Sequence, residues 1–302
     1  KEFKMMSIAT MAKVSIMVVN AFTYNGQGGN PAGVVLDADQ YSHEQKQEIA
    51  RLAGFAETAF VSRSEVADRK LEFFTPNKQI AHCGHATVAT FSYLAQKGEI
   101  TKRNATKETI DGNRAIIIED GKAYMEQIPQ FYKKLSDETV LEIMTSLSLT
   151  LDDLKPGFRP MLSNTGVSFV VIPLKNNQVL KSIQTNLDQI NQISEQLDII
   201  GFYGFTTDPV DQNHDIATRM FAPRYAIAEE SATGMAAGTL SAYLFDYMGF
   251  KKEQIIIEQG YFMETPSKSE IIVKLNIVDG KLNKIMAGGS ANVGTVKTVH
   301  LK

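Results

Sequence analysis

His82, Cys83 and His85 fall within four positions of the stretch HCGHATVATFSYL (82–94), and Cys83 is the only cysteine among 302 residues. Three such side chains suggest a metal site, a thiol nucleophile with its base, or the mouth of a helix that grips an anion. The metal reading meets a spacing problem. Three donors packed this closely cannot close a tetrahedron together, and no C-x-x-C or H-x-x-x-H elsewhere completes one; no metal is expected. A cysteine just before a helix N-terminus would have a lowered pKa, but a free cysteine also behaves as a small buried hydrophobe. Spacing leaves those two readings open.

The third reading rests on an echo. FTPNKQIAH (74–82) and FAPRYAIAE (221–229) both fit F-x-P-x-x-x-I-A, and Gly84 and Tyr93-Leu94 downstream of the first recur as Gly234 and Tyr243-Leu244. If a helix starts at each glycine, each presents unpaired backbone N–H groups and the positive end of its dipole. Glycine lets a ligand approach that backbone. Two such mouths facing one cleft would hold a carboxylate or other anion, with His85 and Thr233 adding side-chain donors. Glu57, in GFAETAFV, is the one charge in an apolar segment. A carboxylate in apolar surroundings has its pKa raised and becomes a general base or acid near neutrality. GQGGNPAGVVL (26–36) is glycine-rich, but Pro31 and a β run follow rather than a helix, so it is no dinucleotide loop. A turn presenting Asn30 to the cleft fits better.

The elements that must position these residues are mostly strands. Apolar or alternating runs at 15–22, 32–37, 58–62, 70–76, 115–120, 123–129, 167–174, 199–206, 216–222, 254–259, 270–278 and 292–300 predict β structure. The segments 84–97 and 234–248 lack a charged face, which predicts buried helices, and Gly98 and Gly249 can end them. An amphipathic helix at 42–54 carries a capping box at Ser42 and Gln45. IIIEDGKAY (116–124) and LNIVDGKLN (275–283) both read strand, D-G turn, strand. The chain therefore reads as two copies of one α+β design, two curled sheets each wrapping a buried helix. The expected halves are 1–130 and 131–284, with the last strand, 285–302, crossing back to the first.

Composition excludes several classes. Hydrophobic residues make up 43% and charged residues 22%, with a net charge of -3, as in a folded globule. The basic residues form no block or stripe, which argues against nucleic acid as a partner. No apolar run reaches the ~18 residues of a membrane helix. A lone cysteine forbids an intrachain disulfide and agrees with a cytoplasmic protein. The opening KEFKMMSIATMAKV is consistent with a leader or an expression remnant. A homodimer is the expected assembly.

NAFT with GNPAGVVL, ETAFV, FFTPNKQIAHCGHAT, RMFAPRYAIAEESATGMAAG and EQGYFM, followed by PS and GGSA, keep one order from residue 20 to 291. In this the chain resembles the PhzF family, the isomerases of phenazine biosynthesis and their relatives. The resemblance implies a fold like diaminopimelate epimerase: two pseudo-symmetric β-barrel-like halves, each around a central helix, with the active site in the cleft. It implies that Glu57 is the catalytic glutamate, shuttling a proton between carbons without cofactor or metal. His85 matches the histidine of CGHAT, Thr233 and Gly234 the second helix mouth, and Asn30 the asparagine of GNP. Where the family commonly reads E-D-P-A-T-G-S, this chain has EESATGM. Glu230 replaces an aspartate, Ser231 a proline and Met235 a small hydroxyl residue, and Ala56 stands where serine often precedes the glutamate. The departures argue against the phenazine substrate itself and leave the proton chemistry in place.

The resulting expectation is a cofactor-free isomerase acting on a small anionic metabolite. Glu57 is the acid/base, and Asn30, Gly84, His85, Glu230, Thr233 and Gly234 bind substrate. The alternatives are an amino-acid racemase or epimerase and a non-catalytic metabolite-binding protein. A two-thiol racemase is disfavoured because Thr233 stands where the related epimerases carry a second cysteine.

Overall fold

The computed structural model describes residues 11–302; the possible leader lies almost wholly outside them. The chain runs β1 (Ala12–Thr23), β2 (Asn30–Val35), α1 (His43–Ala53), β3 (Thr58–Ser62), β4 (Arg69–Phe74), β5 (Gln79–Ile80), α2 (Gly84–Gln96), β6 (Asn104–Thr109), β7 (Gly112–Glu119) and β8 (Lys122–Gln127). After β9 (Phe131–Lys134) and α3 (Asp137–Ser146) come β10 (Met161–Asn164), β11 (Ser168–Pro173), α4 (Asn177–Ser182), α5 (Leu187–Leu197), β12 (Gly201–Thr206), β13 (Ile216–Ala222), β14 (Ile227–Glu230), α6 (Gly234–Met248), β15 (Gln254–Gln259), β16 (Ser269–Val278) and β17 (Lys281–Leu301). The result is a sheet-dominated α+β protein. Among the described residues no helix is long and apolar enough to cross a membrane.

The echo in sequence is an echo in strand pairing. β1–β2 is antiparallel, β2–β3 parallel, β3–β4 and β4–β5 antiparallel, β4–β6 parallel, and β6–β7 and β7–β8 antiparallel. β10 to β17 repeat that series, sense for sense. The long β17 joins the two sets. It pairs with β16, with β8 through Ile285–Gly289, and with β1 from Ser290 to Leu301.

Local chemistry accounts for the element ends. Ser42 and Gln45 form a reciprocal capping box on α1. The D-G pairs at 120–121 and 279–280 have φ of 51° and 73°, and of 52° and 73°. They close the β7–β8 and β16–β17 hairpins as type I′ turns, whose twist matches the strands. The glycine-rich turn before β2 is forced by close approach: a Cβ on Gly28 would lie 1.9 Å from the carbonyl oxygen of Lys268.

α2 and α6 are the buried helices. Every residue from His85 to Leu94 is buried in α2, and every residue from Ala236 to Phe245 in α6. α2 packs on β1, β2, β8 and β17; α6 packs on β10, β11, β16 and β17. Their side chains belong to one continuous apolar core. A helix without a charged face can only be stable in such a place, because each of its sides removes apolar area from water at about 25 cal/mol per Å².

Candidate active site

The two mouths meet. A Cβ built on Gly84 would lie 2.7 Å from Cε of Met125, and one built on Gly234 would lie 3.0 Å from the same atom. One methyl group therefore touches both helix starts. Neither helix has a side-chain cap at its N-terminus or an acidic residue in its first turn, so the positive ends are uncompensated from within the helices. Both glycines line a cavity of about 430 Å³, together with Glu57, Cys83, His85, Glu230 and Thr233.

Glu57 precedes β3, and the N–H of Gly33 on β2 donates to its carbonyl. The side chain is turned inward, with 7% of the residue exposed. Burial pushes its carboxyl up to about 7. Oε2 lies 3.3 Å from Nε2 of His85, but the two are not aligned for a hydrogen bond, and neither atom has another partner among the described residues. On the other side of the ring, Nδ1 is 3.5 Å from Sγ of Cys83 and 3.8 Å from Oε1 of Glu230. Burial, reinforced by the Glu57 carboxylate, raises the Cys83 thiol well above its ordinary value, and burial lowers the pKa of His85. A protonated thiol donates to Nδ1, which assigns the imidazole proton to Nε2. An N–H donor thus lies beside a carboxylate acceptor, both buried, on residues that line the cavity.

Glu230 is held from three sides. Nδ2 of Asn30 donates to its Oε1 at 3.1 Å and to the carbonyl of Ala232 at 2.9 Å. The Thr233 hydroxyl donates to Oε2 at 2.6 Å. Gln259 closes the frame. Its Nε2 donates to the Glu230 carbonyl and to the Thr233 hydroxyl, and its Oε1 accepts from the Thr233 N–H and the Tyr203 hydroxyl. Burial raises the pKa of Glu230.

Six of the seven residues singled out by sequence (Glu57, Gly84, His85, Glu230, Thr233 and Gly234) line this cavity. Asn30 differs: it is buried behind Glu230 and reaches the cavity only by holding that carboxylate. His82 lines the rim and pairs with Asp111 at 2.6 Å, so it leaves the HCGH cluster. The structure brings a donor that spacing could not reveal. Glu57, Cys83 and His85 offer ligand atoms within 4.8 Å of one another. A thiol kept protonated by burial is a poor metal ligand, because metals bind the thiolate.

Residues 19–295 match the family described as phenazine biosynthesis-like protein (PhzC-PhzF). The chain belongs to that family. It is 31% identical to the uncharacterized isomerase YfhB of Bacillus subtilis over 291 residues, covering 92% of this chain and 96% of that one. It is 32% identical to the uncharacterized isomerase YddE of Escherichia coli over 288 residues, with the same coverages. The crystal structure of a PhzF-family phenazine biosynthesis protein from Bacillus anthracis superposes with a TM-score of 0.85 at 28% identity, over 96% of this chain and 99% of that one. A hydroxyproline epimerase from Agrobacterium vitis shares the fold at a TM-score of 0.56 and 15% identity, over 96% and 93% of the two chains. The protein is an isomerase of the PhzF family.

Within this PhzF-family protein, two departures from the common motif acquire contacts. The hydroxyl of Ser231, where the family commonly has proline, donates to the carbonyl of Gly29 at 3.0 Å; it ties the glycine-rich turn to the second mouth. Cγ of Met235 lies 3.4 Å from a Cβ built on Gly84, so its side chain lies between the two mouths. Sequence reasoning missed Gln259 and Lys107. Gln259 ends a buried strand and gave no local sign of its direction. Lys107 did give one: strict alternation in NATKET places it on the inward face with Ala105.

Proposed function

We propose that the protein is a cofactor- and metal-free isomerase that moves a proton on a small anionic metabolite, with Glu57 as the acid/base. Its two pseudo-symmetric halves, 1–130 with 285–302 and 131–284, would each form a barrel-like shell, and the protein would work as a cytoplasmic homodimer. The observation that carries the chemistry is the state of the Glu57 carboxylate. It is buried, without a hydrogen bond at Oε2, and poised near neutral pH beside both helix mouths. Carbon acids are weak, so a base must be pre-positioned and shielded from water. The mouths at Gly84 and Gly234 hold the substrate anion, and the His85 N–H steadies charge that develops on the substrate as the proton leaves. Glu57 takes the proton and returns it to another carbon on the same face. A screen of metabolites by thermal shift, followed by proton NMR in deuterium oxide, tests this. A product with deuterium at a new carbon supports a proton shift, and a product changed only in configuration at one centre argues for an epimerase.

A thiol racemase is the second reading, favoured by the contact of Cys83 with His85. Against it stand the buried, protonated thiol and Thr233 at the opposite mouth.

A further inference from the structure

Lys107 is a buried cation without a counter-charge among the described residues. The residue is 6% exposed, and no carboxylate of the described residues lies within 4 Å of its Nζ. Its contacts are a 2.8 Å hydrogen bond to the Thr87 hydroxyl in the first turn of α2 and the face of the Phe73 ring. Thr87 in turn donates to the Cys83 carbonyl, so the ammonium is held against the start of α2. Lys107 lines a second cavity, of about 90 Å³, together with Arg114, whose one hydrogen bond among the described residues runs from Nη1 to the Asn113 carbonyl. Glu126 also contributes to this lining but forms no ion pair with either cation. The two cavities adjoin, sharing His82, Cys83, Gly84, Val167 and Met235.

A buried charge is costly unless paired. Its partner is not found among the described residues, and the space in front of it adjoins the proposed site. We propose that the smaller cavity is an anion subsite, in which Lys107 and Arg114 take a second anionic head group, carboxylate or phosphate, so that the substrate is at least a dianion. This rests on the reading of the larger cavity as the reaction site. The size agrees: about 90 Å³ is below the ~150 Å³ that admits a benzene ring, which suits a head group rather than a second ring. Burial lowers the Lys107 pKa to about 8, which leaves it cationic at neutral pH. Specificity follows from Met235, which lies in the passage between the two cavities and limits what can join the two anionic ends.

The test is calorimetric titration of the whole chain with butanoate, succinate and inorganic phosphate at neutral pH. Succinate, phosphate or both should bind at least ten-fold more tightly than butanoate. Lys107→Met should remove that preference, and Arg114→Gln, at a half-exposed position, should reduce it several-fold. Preference for succinate would assign a carboxylate head group, and preference for phosphate a phosphate. Equal binding of all three, no binding at tens of millimolar, or a preference that survives in both variants would overturn the subsite. The result is separable from the acid/base reading. Turnover that survives in Glu57→Gln overturns the role of Glu57 and leaves the subsite standing, whereas equal binding of the three probes by the unmutated chain, with turnover lost in Glu57→Gln, does the reverse.

Discussion

Oε2 of Glu57 and Nε2 of His85 lie 3.3 Å apart, and neither has an aligned hydrogen-bond partner among the described residues. An unmade hydrogen bond between two buried polar atoms costs about 1–3 kcal/mol for each group left unsatisfied. Both residues line the cavity, while these two atoms themselves are buried.

Glu57→Gln keeps the size and polarity of the side chain and removes the proton acceptor. Turnover should fall by roughly 10²–10⁴-fold with binding nearly intact. Cys83→Ser should cost far less, because in the proposed mechanism the thiol only orients His85. Kinetics on the two variants decide between mechanisms: loss in Cys83→Ser with a benign Glu57→Gln would mean thiol chemistry.

The same carboxylate sets a pH dependence. With its pKa raised to about 7 by burial, Glu57 is ionised and able to act as base only above that pH. The kcat/KM of the free enzyme should therefore rise with pH through about 7 and level off. A profile that is flat between pH 5 and 8 would contradict the assignment.

Asn30 joins the first glycine-rich turn to the second helix mouth through Glu230 and the Ala232 carbonyl. Asn30→Ala leaves both acceptors without this donor and should cost about 1–3 kcal/mol, read as a lower urea midpoint. Activity should fall with it, since Glu230 loses one of its anchors. Unchanged activity would mean that Glu230 needs no positioning.

Lys107→Met replaces a buried ammonium with an apolar chain of similar length. The folded state should gain roughly 1–3 kcal/mol at pH 7. The lysine titrates near 8 when folded, against 10.5 ordinarily. The penalty it carries is full below pH 8, shrinks as pH rises to 10.5 and is absent above. The advantage of the variant in thermal unfolding should fade over that interval.

His214 lies between two carboxylates, with Nδ1 2.8 Å from Glu258 and Nε2 3.0 Å from Glu270. Although burial opposes protonation, these partners raise its pKa to about 9. A raised folded-state pKa stabilises fully below 6.5, the ordinary value, and is lost as pH rises through about 9. Stability should therefore decline across that window by an amount on the order of 3 kcal/mol. In His214→Gln that decline should be absent from urea unfolding at pH 6 and pH 9.

Much of this architecture was legible in the chain, for a local reason. Capping at Ser42, the D-G turns at 120–121 and 279–280, and the charge-free helices starting at Gly84 and Gly234 are set by backbone preference and by apolar periodicity within a few residues. The duplicated F-x-P motif was enough to pair the two mouths. The elements the sequence did not mark are β5, β6, β9, β10, β14, α4 and α5, along with the full reach of β17, whose exposed and buried residues alternate too irregularly to read as one strand.

By itself, then, the sequence determined the two helix mouths, the inward carboxylate at 57 and the family. Only the tertiary structure decided which groups act on one another. Asn30 and Glu230 are 200 residues apart, Lys107 meets Thr87 across the core, and Glu57 faces His85 from a different element. It also decided that His82 turns away to Asp111 while His85 turns inward. Spacing along a chain constrains neighbours through bonded geometry. Contact between distant residues depends on which apolar faces bury each other, and that same burial moves the pKa values on which the proposed chemistry depends.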